Sequence, residues 1–405
     1  HSAFCILHSE FCISSMRIAH LITRMIVGGA QENTLYNCED LIRLHGDEVL
    51  LVTGPAIGPE GDLLQQGRGG EGSVEVPKRI IRSLRRAIVP WQDTSSYFAL
   101  KQVIREFQPD VVHTHSAKAG FLGRLAAWKL RVPAIVHTVH GAPFHAYQSA
   151  AARSLFRACE RYAAKRCHAL ISVADAMTDL MAQANVAPRE QFTTIYSGID
   201  VEPFLRADER REQTRRELGF APEHVVVGKI ARLFHLKGHA DVIRAAAEVI
   251  ASQPNVRFLF IGDGILRERL QSQIDAAGLH EHFRFAGLVP PSDIPQHIGA
   301  MDLLVHASLR EGLARALPQA LIAGKPVVSY DVDGAREVAI ADQTGFLVAP
   351  QWQNLVQPLI ALAADADLRK RLGSEGRRRF TDQFRHEFMT QRIRELYERV
   401  LNQPR

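Results

Sequence analysis

The chain has 405 residues, 46% hydrophobic and 23% charged, the make-up of a globular protein long enough for two domains that each bury a core. Its net charge of +5 and pI near 9.0 suit anionic substrates or an anionic membrane surface, and are too modest to argue for nucleic acid. No apolar run approaches the roughly 20 residues of a membrane span, and five cysteines without a C-x-x-C pair argue against a disulfide scaffold or zinc site and for a reducing cytoplasm.

Residues 1–15 hold two near-copies, H-S-A-F-C-I and H-S-E-F-C-I, ahead of the first methionine, Met16. They read as a leader outside the fold, a translated repeat or misplaced start; a signal peptide is the rival, but basic residues and a long apolar core are missing. From Met16 short apolar runs alternate with helical segments. Strands are expected at Ile18–Thr23, Glu48–Thr53, Asp110–His115, Ala134–His140, Ala169–Val173 and Phe192–Tyr196. Helices are expected at Glu32–Leu44, Ser95–Phe107, Ala119–Leu130, Ser149–Arg166 and Ala174–Ala184. Such alternation predicts a parallel sheet covered on both faces. A charged stretch, Arg206–Glu217, interrupts it. A second series then follows, with strands at Val225–Ala231, Val256–Ile261, Arg284–Ala286, Leu303–His306, Pro326–Tyr330 and Phe346–Val348, and a long closing helix at Phe384–Leu401.

Several strand ends carry residues suited to binding. After the first strand, Gly28-Gly29 lets backbone approach a ligand, and the next helix start offers N–H groups to an anion; a tight turn alone is the plainer reading. After Val225–Ala231, the segment R-L-F-H-L-K-G brings Arg232, a planar fork for paired phosphate oxygens, and Lys237, a point charge, close to a helix N-terminus. Gly262, in I-G-D-G, also follows a strand. His113, His115, His137 and His140 crowd two strand ends, where structural hydrogen bonding is the usual role and a metal lacks an accompanying carboxylate cluster. Lys118 opens a helix and could meet an acceptor phosphate, or simply solvent. Lys78–Trp91 interleaves Lys78, Arg79, Arg82, Arg85 and Arg86 with Ile80, Ile81 and Leu84, an amphipathic patch for an anionic membrane, with nucleic acid or a solvated helix face as the alternatives.

The stretch Leu309–Val328 organises the second half. Leu317–Ala323 reads as a short helix with Pro318 in its first turn and Gly324 closing it. Glu311 then lies in the strand-to-helix loop and Gln319 in the first helical turn, at the end of the sheet where ligands bind in open α/β folds.

Here the chain resembles the family 4 glycosyltransferases of the two-domain GT-B fold, whose signature is Glu, seven residues, Glu, a small-residue helix and G-x-P-V-V. Glu311, seven residues, Gln319 and then Gly324-Lys325-Pro326-Val327-Val328 match it, with Gln in place of the second Glu. Arg232, four residues, Lys237-Gly238 resembles the family's diphosphate clamp, and Gly28-Gly29 its glycine loop facing the donor phosphates. Phe285–Val289, with Gly287 and Leu288, is similar to the segment whose backbone reads the base. His140, in T-V-H-G, resembles the histidine at the donor-sugar end, and Tyr196–Asp200 the N-G-V-D segment ending the first domain, with Ser197 for Asn.

The resemblance implies two doubly wound Rossmann-like α/β domains facing a cleft, at 16–200 and 201–383, with a C-terminal helix, 384–405, crossing back onto the first domain. It implies retaining transfer of a sugar from a UDP-, GDP- or ADP-sugar to a glycan or lipid-linked acceptor in polysaccharide biosynthesis. His140, Glu311, Arg232 and Lys237 would be catalytic. Glu311 would hold sugar hydroxyls and Gln319 the ribose. Two cations can do a metal's work, so no metal or cofactor is expected. Asp331-Val332-Asp333, beside the strand Pro326–Tyr330, is the Asp-x-Asp considered as a metal motif, and it does not stand at a strand end. The expected location is the cytoplasm, peripheral at the inner face of the plasma membrane. Another nucleotide-sugar enzyme, an epimerase or hydrolase, is the alternative within enzymes. A catalytically weak nucleotide-sugar-binding subunit, favoured by Gln319, is the alternative outside them.

Overall fold

A computed structural model describes residues 15–57, 61–66 and 74–403, so the leader expected at 1–15 lies, but for Ser15, outside the described residues. Two parallel sheets build the molecule. The first contains β1 (Arg17–Arg24), β2 (Glu48–Gly54), β3 (Lys78–Ile80), β4 (Val111–His115), β5 (Ala134–Val139), β6 (Ala169–Ser172) and β7 (Phe192–Thr194), in the order β3-β2-β1-β4-β5-β6-β7. The second contains β8 (Val225–Ile230), β9 (Val256–Ile261), β10 (Phe283–Gly287), β11 (Leu303–His306), β12 (Val327–Tyr330) and β13 (Gly345–Val348), in the order β10-β9-β8-β11-β12-β13.

Helices cover both faces of each sheet, so central strands are buried at every residue rather than at alternate ones. β4, β5, β6, β11 and β12 are accordingly buried along their whole length. In each sheet the chain steps outward from a central strand, β1 or β8, and restarts on its other side at β4 or β11. Crevices open at the carboxyl ends of strands flanking such reversals. The loops leaving β1, β8 and β11 are those carrying Gly28-Gly29, Arg232–Lys237 and Glu311.

The closing helix, His386–Leu401, returns to the first sheet's core. Met389, Ile393, Leu396 and Tyr397 share one hydrophobic cluster with Ile18 and Ile22 of β1. Polar pairs orient it against the helix Gly29–His45. Asn37 donates to Thr390 at 3.2 Å, His386 Nδ1 lies 2.6 Å from the Asp40 carboxylate, and the His386 ring stacks on Tyr36. Just before it, Phe380 and Phe384 pack with Ile199, Val201 and Phe204 in the core of the second domain. The chain therefore crosses between domains twice, side by side, with Ile199 donating to the Phe384 carbonyl at 2.7 Å.

The charged stretch Arg206–Glu217 folds: a 3₁₀ turn at Ala207–Arg210 leads into a helix at Arg211–Glu217, tied to the second domain by Arg211 and Arg215 on Asp302. Its many charges belong to the solvated face of a short helix. Lys78–Trp91, for which a solvated helix face is one reading, is not a helix along its length. Lys78–Ile80 is an edge strand, Ile81 and Leu84 turn inward and are buried, and a helix begins only at Pro90, where the missing N–H is harmless. Pairing to β2 outweighs helical periodicity there.

Candidate active site

A cleft of about 600 Å³ lies between the two domains, at the carboxyl ends of both sheets. Gly29, Glu32 and His140 line it from the first domain, and Arg232, Lys237, Glu311 and Gln319 from the second.

The cationic wall is built by the turn after β8. It leads into the helix His239–Ser252, whose N-cap, Gly238, has φ 68°; a Cβ there would sit 1.8 Å from the Ala307 carbonyl oxygen. Only glycine fits that conformation and that approach. The close approach brings the turn against the end of β11, and with it Lys237 against Glu311, whose Oε1 lies 2.5 Å from Lys237 Nζ. The Arg232 guanidinium stands over the Phe234 ring at 5.1 Å. Two cations beside a helix N-terminus are the chemistry that an anion such as a phosphate requires, and here one of them is paired with Glu311.

Glu311 is held from two further sides. Its backbone N–H donates to Asp333 at 2.7 Å, and its carboxylate lies 3.8 Å from His306 Nε2 at the end of β11. Burial by itself would raise the Glu311 carboxyl; Lys237, first by charge and also by hydrogen bond, pulls the other way, and the net position is below its ordinary value. Glu311 is thus an anion at neutral pH. His306 is pushed down to about 3, chiefly by burial, and is neutral. Behind them Lys229 of β8 is fully buried, and desolvation with the nearby Lys237 pushes it down to about 7. Gln319 lies in the helix Ala316–Ile322, one turn above Arg315.

From the first domain, His140 follows β5 with its Nε2 3.1 Å from His115 Nδ1, and burial pushes it down to about 4, so it too is neutral. The domains meet closely around it. A Cβ on Gly312 would lie 2.4 Å from the His140 carbonyl oxygen, and one on Gly29 would lie 2.6 Å from Arg315 Cδ. Arg315 bridges the domains, bonding Glu32 at 2.9 Å and the Gly198 carbonyl at 2.9 Å. At the rim Arg310 donates to the Ala142 carbonyl, and Glu337 accepts from the Asp175 and Ala176 amides, each at 2.9 Å.

Sequence reasoning proposed other residues that the structure places differently. Gly28, Gly262, Gly287 and Leu288 do not line the cleft. The Gly262 amide donates to the Gly287 carbonyl at 2.8 Å, closing the ends of β9 and β10, and Leu288 is exposed; Val289 lines the cleft instead. Lys118 is engaged by Asp93 and the Ala87 carbonyl, which leaves it poorly placed for an acceptor phosphate. Asp331 pairs with Arg336 and Asp333 with the Glu311 amide, so the Asp-x-Asp pair serves the loop. Sequence reasoning missed Arg315, His306, Lys229 and Asp333 as parts of the site. For the buried Lys229, a cation inside an otherwise apolar strand was the available signal.

Comparison with known proteins bears on the family and the fold. The family model "Glycosyltransferase Family 4" matches residues 27–203, and "Glycosyl transferases group 1" matches residues 210–379. The chain is 27% identical over 337 residues to the UDP-Gal:alpha-D-GlcNAc-diphosphoundecaprenol alpha-1,3-galactosyltransferase of Escherichia coli, covering 83% of this chain and 84% of that one. It is 30% identical over 279 residues to the 2-deoxystreptamine N-acetyl-D-glucosaminyltransferase of Streptomyces fradiae, covering 65% and 63%. Among solved structures, Anabaena Alr3699/HepE in complex with UDP and glucose superposes with a TM-score of 0.78 at 23% identity, covering 95% of this chain and 99% of that one, a likeness of fold. With both halves matched in order and the two-sheet cleft in place, the chain belongs to the family 4 glycosyltransferases of the GT-B fold.

Proposed function

We propose that this glycosyltransferase takes a sugar from a nucleoside-diphosphate sugar and passes it, with retention of configuration, to a glycan or lipid-linked acceptor in polysaccharide or lipid-linked sugar assembly. The observation that carries the reading is the convergence of Arg232, Lys237 and ionised Glu311 on one wall of the interdomain cleft. Departure of the nucleoside diphosphate puts growing charge on its phosphate oxygens, and two preset cations stabilise that charge where it develops. When phosphate engages Lys237, the Glu311 carboxylate becomes available to sugar hydroxyls. Gln319 holds a ribose hydroxyl through a neutral amide oxygen. Arg232 and Lys237 supply the positive charge that a metal would otherwise bring, so transfer proceeds without added metal. The lipid-linked acceptor in the name of the E. coli relative supports the acceptor class.

No helix among the described residues is long and apolar enough to cross a membrane. Peripheral contact through Lys78–Trp91 fits a lipid-linked acceptor. Although the segment is not a helix, Arg79, Arg82, Arg85 and Arg86 are exposed beside Ile80, Ile88 and Trp91.

Calorimetric titration with UDP, GDP and ADP, without metal and then with magnesium, tests the reading. Metal-free binding of one of them, lost in Arg232→Ala, is the expected result. Failure of all three to bind would remove the donor site, whereas binding without turnover on any acceptor would favour the nucleotide-sugar-binding subunit, for which Gln319 is the supporting feature.

A further inference from the structure

Behind His140 the structure contains a line of imidazoles that nothing in the transfer chemistry above uses. His140 Nε2 lies 3.1 Å from His115 Nδ1, and His115 Nε2 lies 3.0 Å from His20 Nδ1. The rings are nearly parallel, inclined by 27° between His140 and His115 and by 16° between His115 and His20. His20 and His115 are fully buried, in β1 and β4. At the far end His20 Nε2 is buried and has no hydrogen-bond partner among the described residues. At the near end His140 lines the cleft, and among the described residues no protein group bonds its Nδ1.

A neutral imidazole carries one N–H and one lone pair, on different nitrogens. Three in line therefore have only two head-to-tail arrangements. In one, His20 Nδ1–H donates to His115, His115 Nδ1–H donates to His140 Nε2, and His140 is left with Nδ1–H at the cleft. In the other every bond reverses, and His20 is left with an N–H on Nε2, sealed in the core without an acceptor. We propose that the first arrangement holds: the buried chain His20–His115 fixes His140 as the Nδ1–H tautomer, so that the cleft presents a hydrogen-bond donor to an oxygen of the sugar donor. Orphaned buried N–H groups are rarer than orphaned acceptors, which favours this direction. Burial holds all three rings neutral at pH 7, the condition for a single fixed order. His115 and His20 are positioning residues; they act through His140 and are shielded from the ligand.

A metal is the rival use of the same rings. Nitrogens of His20, His113 and His115 lie within 4.8 Å of one another. The group brings no carboxylate or thiolate to offset an ion's charge in a fully buried place. His113 is moreover engaged, with Nδ1 2.5 Å from the Tyr397 hydroxyl and Nε2 2.7 Å from Thr138 Oγ1.

The identity of the ligand oxygen rests on the donor-site reading, whereas the tautomer does not, so the two are measured separately. Long-range ¹⁵N–¹H spectra of the full chain labelled at histidine, free of nucleotide, read the tautomer directly, with His140→Gln assigning the signals. The expected result is a protonated Nδ1 and a bare Nε2 on His140. A protonated Nε2, averaging between both forms, or a stoichiometric metal in the purified protein overturns the proposal. UDP, GDP or ADP, whichever binds by calorimetry, is then added, followed by its glucose conjugate. A shift of the His140 Nδ1–H on nucleotide alone assigns a phosphate oxygen, and a shift only on the conjugate assigns a sugar oxygen. No shift with a conjugate that binds overturns the ligand assignment. In kinetics, His20→Leu is expected to raise the donor KM roughly 5- to 10-fold, with rescue by His20→Gln, whose amide can donate to His115 Nε2. Equal KM in wild type and a folded His20→Leu overturns the positioning role.

Discussion

At the scale of single residues, the cleft concentrates opposite charge where neither side is fully wet. Lys237 and Glu311 keep only 20% and 24% of their side-chain exposure, so their attraction is screened less by water and salt than that of a surface ion pair. Arg232→Ala and Lys237→Ala are each expected to weaken nucleoside-diphosphate binding by roughly 10- to 100-fold, about the 1.5–3 kcal/mol of a charge-assisted hydrogen bond. Thermal midpoints should change little for Arg232→Ala, because Arg232 sits on a loop. Titration calorimetry with a melting curve for each variant checks both halves, and unchanged affinity in both variants would dismiss the clamp. Gln319→Glu restores the family's second carboxylate. It should tighten nucleotide binding by roughly 5-fold, about 1 kcal/mol, if the residue meets a ribose hydroxyl.

At the scale of elements, the loops leaving β1, β5, β8 and β11 are precise because glycines let them touch. Gly312 shows this most clearly, since its would-be Cβ meets the His140 carbonyl, which is backbone and cannot swing aside. Gly312→Ala should therefore push the loop after β11 away from the loop after β5. Nucleotide affinity, held mostly within the second domain, is expected to stay within about 3-fold. The transfer rate should fall by roughly 100-fold, the usual effect of misplacing reacting groups by about 1 Å. Steady-state kinetics beside calorimetry separates the two; parallel losses in binding and rate would place the contact in the donor site itself.

At the scale of the whole molecule, histidine burial makes stability depend on acid. His20 and His306 are pushed down to about 3 and His140 to about 4, chiefly by burial. In the unfolded chain these rings take up protons near pH 6.5, whereas the native chain resists until about pH 3–4. Between those limits the unfolded state binds more protons, so stability rises with pH and falls as acid is added, by up to about 1.4 kcal/mol per pH unit for each such histidine. Glu311, with its folded value lowered, adds stability above its unfolded value that is lost on acidification through the folded value. Urea midpoints at pH 7, 6 and 5 should decline steadily, and a flat series would mean that the cluster is protonated or hydrated in the native state. A second prediction at this scale concerns the basic edge. Trp91→Ala with Arg82→Glu and Arg86→Glu should abolish sedimentation with anionic vesicles while leaving nucleotide binding unchanged; equal sedimentation would place any membrane contact elsewhere.

Local pattern determined much of this protein. Continuous apolar runs buried on both faces specified the central strands, and strand–helix alternation specified two parallel sheets, because both rest on short-range geometry and burial. The spacing of Arg232, Lys237, Glu311 and Gln319 likewise placed them at strand ends, where a doubly wound fold opens its crevice. Tertiary structure alone decided what depends on neighbours far apart in the chain. The Lys78–Arg86 stretch has a helical charge pattern, but β2 supplies hydrogen bonds that draw its start into an edge strand. Arg315 joins the site because Gly29 and Glu32, nearly 300 residues earlier, receive it. His20 and His115 meet because β1 and β4 are adjacent in space and not in sequence. No periodicity within either segment encodes that contact, and a line of imidazoles behind the cleft exists only once the sheet has formed.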